Sequence, residues 1–178
     1  MRFGWLPISA LVVFLGACSA GVERNALLSD APPPSCPAAQ GVKERMLERI
    51  NRLRRDAREC GGENFGAAPP VTWNERLHRA ALTHSQDMAE AGYFGHQGTD
   101  GLSVAGRVRD EGYPWSSVGE NIASGQSSVD SVMEQWLDSP GHCANIMEPS
   151  FRNIGAACVT GPGEDALTYW TLVLAAPK

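Results

Sequence analysis

Three side chains in this 178-residue sequence have the types and settings to do chemistry: His96 in FGHQG, Glu120 in VGENIASG and His142 in SPGHCANI. Two imidazoles and a carboxylate can hold a divalent cation such as zinc and leave positions open for water or a ligand. Without a metal, the same set can orient a water or bind a polar head group, with Glu120 as the candidate general base. Gly95, Gly119, Pro140 and Gly141 lie beside them. Such residues mark sharp turns or close backbone approach, which places these polar groups at the mouth of a cleft. Asn121 and Ser139 adjoin them and are expected to line it. His84 falls in an apolar stripe and reads as a buried structural histidine, whereas His78 lies on a charged face and reads as a surface residue. No nucleophile is evident, because Ser85, Ser103, Ser124 and Ser139 lack a GxSxG setting.

The elements that must position these residues follow from periodicity. Val42, Met46, Ile50, Leu53 and Ala57 recur at helical spacing, with Arg52, Arg54 and Arg55 among the residues on the other faces, and Cys60-Gly61-Gly62 stops the helix. Thr72 or Asn74 caps a second helix with Leu77, Ala81, His84, Met88 and Ala91 inward and Gly92 at its end; Thr72 with Glu75 would make a capping box. A short helix is expected over Val104 to Glu111, a strand over Val118 to Ala123, and a helix over Val129 to Leu137 that Ser139-Pro140-Gly141 terminates. Strand-like runs at Asn153 to Thr160 and Leu167 to Ala175, joined by GPGED, predict a hairpin. Helices first and strands last give an α+β domain, helices packed on a small antiparallel sheet.

The N-terminus adds a compartment. Arg2, an apolar run from Leu6 to Gly16 and LGAC ending at Cys18 form an export signal too short to anchor a bilayer. Small residues before a cysteine are the pattern of a bacterial lipoprotein signal over residues 1–17, with Cys18 carrying the lipid. Ser19 after it favours the outer membrane, facing the periplasm; an ordinary signal peptide and a secreted protein is the alternative. Residues 18–40 include APPPSCPA and read as an extended tether to a domain at 41–178. Cys36, Cys60, Cys143 and Cys158 are an even set in an exported chain, where disulfides are the default. The local pairings, Cys36 with Cys60 and Cys143 with Cys158, are favoured. With 15 basic and 20 acidic residues, the net charge of −5 offers no patch for a phosphate backbone, so nucleic acid is not an expected partner.

INRLRRDA, VTWNERLHRAALTHSQDMAEAGYFGH, GENIASG, VMEQWLDSPGHCANIM and NIGAACV with YWTLVLA together resemble the CAP superfamily, also called the SCP or pathogenesis-related-1 domain, in its bacterial form. The resemblance runs from about Val42 to Ala175. It implies an α-β-α sandwich around a central cleft built from two histidines and two acids, of which His96, Glu120 and His142 carry over. Ser139 stands where many eukaryotic members have the second acid; Asp138 and Glu134 are the nearby substitutes. The expectation is therefore a monomeric, envelope-anchored binding module for a lipid, peptide or peptidoglycan fragment, with or without Zn²⁺. A zinc-dependent hydrolase of envelope peptides and a protein-interaction module with a vestigial cleft are the alternatives.

Overall fold

The computed structural model describes Met1, Cys36, residues 41–163 and residues 166–178; the signal, Cys18 and most of the tether lie outside the described residues. Helix α1 (Val42–Leu53) buries Val42, Met46 and Ile50, the stripe expected of it. It ends one turn early, because Arg54 turns inward and is fully buried. In place of a helix stop, Cys60-Gly61-Gly62 closes a hairpin between β1 (Arg58–Cys60) and β2 (Glu63–Phe65). Both glycines hold positive φ, 61° and 94°, a conformation costly for other residues.

Strand β3 (Thr72–Trp73) takes up Thr72, so the cap of α2 (Glu75–Ala91) falls to Asn74 alone. Its side chain accepts hydrogen bonds from Arg76 N at 2.9 Å and Leu77 N at 3.4 Å, an N-cap arrangement that contributes about 1 kcal/mol. The helix buries Leu77, Ala80, Ala81, His84, Ser85, Met88 and Ala89. Gly92 ends it in the left-handed conformation at φ 66°. Helix α3 (Val104–Asp110) and strand β4 (Trp115–Ser124) follow, the strand longer than expected. A Ser128–Ser131 capping box starts α4 (Val129–Asp138). Pro140 ends that helix but also opens α5 (Pro140–Met147). Proline suits a first helical position, whose N–H has no partner within the helix. Strands β5 (Asn153–Thr160) and β6 (Thr168–Pro177) form the expected antiparallel pair.

The main sheet has the order β3-β5-β6-β4, with β3 parallel to β5 and the other pairs antiparallel. It is therefore mixed rather than purely antiparallel. Strand β6 shows why the sheet is covered on both faces. Trp170, Leu172 and Leu174 face one layer with Met46, Ile50, Val132, Met133 and Trp136; Val173 and Ala175 face the other with Leu77, Ala80, Ala81 and Val108. Successive side chains point to opposite faces of a strand, so a nearly continuous apolar run is what a doubly covered strand requires. Each fully buried large side chain contributes about 1.5–3 kcal/mol. Packing on the α2 side is close: a Cβ on Gly155 would lie 2.0 Å from the backbone N of His78. His78 is accordingly not a free surface residue; its Nδ1–H donates to Ala156 O at 2.8 Å.

The disulfides correct the expected pairing. Cys36 joins Cys158 and Cys60 joins Cys143, across 122 and 83 residues respectively. Neither is local. The first ties Cys36, itself buried in the core, to β5, and the second ties the β1–β2 hairpin to the first turn of α5.

Candidate functional site

Three separate elements carry the predicted residues: the loop after α2 carries His96, β4 carries Glu120, and α5 carries His142. Glu120 lies at the centre and is 2% exposed at its side chain. Its Oε1 accepts from His96 Nδ1–H at 2.9 Å, and its Oε2 accepts from Arg107 Nη2 at 2.7 Å. Arg107, also buried, donates to Leu102 O and His96 O as well. A buried carboxylate needs such a partner, since an unpaired charge there costs several kcal/mol. His84 lies beneath, with Nε2 3.9 Å from Glu120 Oε1 and its Nε2–H donating to Gly95 O.

Electrostatics separates the two cleft histidines. The hydrogen bond to Glu120 raises the His96 pKa above the ordinary imidazole value despite partial burial. Burial lowers the His142 pKa, and positive charge on His96 lowers it further. His142 is half-buried in the structure. Its Nδ1 is buried without a hydrogen-bond partner among the described residues.

The two histidines are also held differently. His96 sits in a loop fastened by Asp87 of α2, whose carboxylate accepts from Thr99 N, Thr99 Oγ1 and Tyr93 Oη at 2.9, 2.5 and 2.5 Å. Partial burial opposes ionisation of Asp87, but these donors hold its pKa below the usual aspartate value. His142 sits one residue before Cys143 and its disulfide. Its carbonyl accepts from Asn121 Nδ2 at 3.0 Å, and Asn121 Oδ1 accepts from Asn145 Nδ2 at 2.9 Å. At the other end of α5, the Arg54 guanidinium donates to Ile146 O, Glu148 O and Phe151 O, and also to Pro69 O. A cation there complements the negative end of the helix dipole.

Of the predicted residues, His96 and Glu120 are in direct contact, and His142 meets the Glu120 strand through its backbone at Asn121. Asn121 is fully buried and orients the His142 backbone. Ser139 is the residue before α5, with no side-chain capping bond. Asp138 and Glu134 are exposed on α4. Four residues that sequence reasoning misses, Arg107, Asp87, Asn145 and Arg54, hold the site in place. Only Arg107 carries a signal, as a cation between Val104 and Val108 in a short amphipathic helix.

Chemically, each Glu120 oxygen already accepts a hydrogen bond, which makes Glu120 an orienting group for His96. Carboxylates commonly hold a metal-binding histidine in this way, fixing its tautomer so that the other ring nitrogen faces the metal. Among the described residues, no group of three or more His, Cys, Asp or Glu side chains is arranged to hold a metal. A cation at this site would have only imidazole donors from the protein, His96 and His142, with water or ligand supplying the rest. Beside it an open groove of about 460 Å³ is lined by His96, Gln97, Ser103, Val104, Gly119 and Glu120.

Comparison with known proteins gives a consistent result. The family model for CAP, the cysteine-rich secretory protein family, matches residues 47–174. The uncharacterized protein YkwD of Bacillus subtilis (strain 168) is 37% identical over 90 residues, 51% of this chain but 35% of that protein. The chain thus spans about a third of that curated relative's length. Among solved structures, an outer surface protein from Borrelia burgdorferi aligns with TM-score 0.63 and 17% identity over 76% of this chain and 92% of that one. The crystal structure of NaASP2 with Zn²⁺ aligns at TM-score 0.53 and 14% identity over 83% and 85%. At such identities the structural matches speak to the fold alone.

Proposed function

The chain belongs to the CAP, or cysteine-rich secretory protein, family, and from that premise we propose that it is an exported envelope binding module whose cleft takes a divalent cation between His96 and His142. The reading is carried by the buried His142 Nδ1, which lacks a partner among the described residues, together with the carboxylate-oriented imidazole of His96. Zinc is the favoured cation, because imidazole nitrogen is among its usual ligands and NaASP2 is a protein of the same fold crystallised with Zn²⁺. A bound cation would supply an electrophilic point for a polar ligand; His96 and His142 hold it, and Glu120 with Arg107 keeps His96 aimed.

Binding is favoured over hydrolysis because Glu120, the candidate base, already accepts from both His96 and Arg107. Export, lipid on Cys18 and an outer-membrane position facing the periplasm complete the reading. They rest on the N-terminal residues, and the likeness to a Borrelia outer surface protein agrees with an envelope role.

Zinc titration of the purified, chelator-free protein followed by elemental analysis tests the centre of the proposal. One equivalent is expected, with affinity lost by about tenfold or more in His96→Ala and in His142→Ala, each removing one of two protein ligands. Unchanged zinc binding in both variants overturns the site. Chelator-sensitive cleavage of peptides or peptidoglycan by the zinc-loaded protein overturns the binding reading in favour of a hydrolase. Acylation of Cys18 is read directly by mass spectrometry of protein expressed with its signal.

A further inference from the structure

Strand β4 is an edge of the main sheet, paired with β6 on one side only. Which backbone groups face outward follows from the bonds around it. Arg152 N donates to Ala175 O and Gly125 N to Thr168 O. Ala175 therefore points its backbone at the β5 side, and its β4 partner Val118 points away from β6. Backbone direction alternates along an antiparallel ladder. Gly119, Asn121 and Ala123 thus bond to β6, while Val118, Glu120 and Ile122 face outward. Two side chains confirm the assignment: Asn145 Nδ2 donates to Glu120 O at 3.2 Å, and Trp136 Nε1 donates to Ile122 O at 3.1 Å. Helices α4 and α5 thus cap the far half of the edge. The near half is different, since neither the N–H nor the C=O of Val118 has a partner among the described residues.

This uncapped backbone lies between two grooves. One is the histidine groove, lined by His96, Ser103, Val104, Val118 and Glu120 among others. The other, about 480 Å³, is lined by Glu63, Phe65, Ser117, Asn145, Glu148 and Phe151. They lie on opposite faces of β4, since Val118 and Glu120 line one and Ser117 lines the other. On the second face Gly119 lets Asn145 and Phe151 pack directly against the strand: a Cβ there would meet Asn145 Oδ1 and the Phe151 ring at 3.1 Å.

We propose that the cleft binds an extended peptide as an added strand on β4 at Val118, with a basic side chain of that peptide in the groove between Glu63 and Glu148. A strand residue opposite Val118 would both donate to its C=O and accept from its N–H, and peptide side chains would alternate between the two grooves. The next side chain along lies towards His96, where a cation would meet a polar group. The two carboxylates set the preference for positive charge; that of Glu148 is held ionised below its usual pKa by Ser150 and by Arg54. This inference rests on the reading of the cleft as a binding site and deepens it by naming the ligand class.

The test uses the full chain and fluorescence anisotropy with a short labelled peptide of alternating threonine and valine bearing one lysine, methylated at one backbone nitrogen at a time. Strand addition predicts that methylation weakens binding by about tenfold at alternate positions only, where the N–H is used. Val118→Pro should weaken binding comparably, because it removes an outward N–H without cutting the β4–β6 ladder; circular dichroism checks its fold. Glu63→Gln should reduce the preference for the lysine peptide over one with glutamate in its place. No binding of the parent peptide, or loss that is equal at every methylated position, overturns the proposal. Zinc titration of the same samples separates it from the cation reading. Normal zinc binding with no alternating pattern sinks the strand alone, and an alternating pattern without zinc binding sinks the cation alone.

Discussion

The two histidines of the cleft are supported in physically different ways. The His96 arm is a loop held by side-chain hydrogen bonds and one buried ion pair: Asp87 to Tyr93 and Thr99, Arg107 to Glu120 and to the His96 carbonyl. The His142 arm is a helical turn held by a disulfide, by Asn121 at its carbonyl and by Arg54 at the far end of α5. One arm depends on charge and polar geometry, the other on a covalent link and a buried cation. The site should therefore come apart from two sides under different stresses, acid for one and reductant for the other.

The comparison breaks most violently at Arg54. Arg54→Met should destabilise by on the order of 5 kcal/mol, because the carbonyls of Pro69, Ile146, Glu148 and Phe151 lose a buried donor and each unsatisfied group costs about 1–3 kcal/mol. Urea unfolding measures it; a loss under about 1 kcal/mol would mean that water replaces the guanidinium there. Next comes the disulfide. Cys60→Ser with Cys143→Ser should lower stability by about 3 kcal/mol and loosen α5, with faster amide exchange at 140–147 but not in the His96 loop. Equal exchange in both regions would show that the arms are not independent.

Asp87→Asn gives the converse at a smaller scale. It should cost about 1 kcal/mol, speed exchange over residues 93–101 and weaken zinc binding through His96 while α5 stays protected. The smallest effect is in pH. Burial holds the His84 pKa below its unfolded value, so the stability it contributes is whole above about pH 6.5 and is lost as pH falls through its folded pKa. His96 has the opposite sign: its raised pKa adds stability below about 6.5 that is lost as pH rises through the folded value. His84→Gln should therefore flatten the acid side of the stability curve and leave the neutral side alone. An unchanged acid slope would transfer that slope to the carboxylates.

Periodicity makes most of the fold legible. The apolar stripe of α2 and the double-faced run of β6 each carry their environment in the residues themselves, and the contact of His96 with Glu120 joins two residues that glycine neighbours single out. What stays hidden is set by partners distant in the chain. Arg54 looks like one more charge on a polar helix face, because the carbonyl ends it serves come from α5 and the segment after it. Cysteine spacing favours local pairs, yet contact across 122 and 83 residues is decided by which elements the sheet brings together. Pro140 is legible as a stop and not as a start, since both uses require the same ring. Glu120 looks like a free acid until the packing of α3 brings Arg107 beside it.

The Cys36–Cys158 bond has a mechanical consequence. Any pull on the residues before Cys36 is delivered through sulfur to Cys158 in β5, a strand flanked by β3 and β6. The load bypasses α1, which would otherwise be the first element to peel, and enters the sheet where ladders on both sides resist shear together. Under a reducing agent the same force would unwind α1 first.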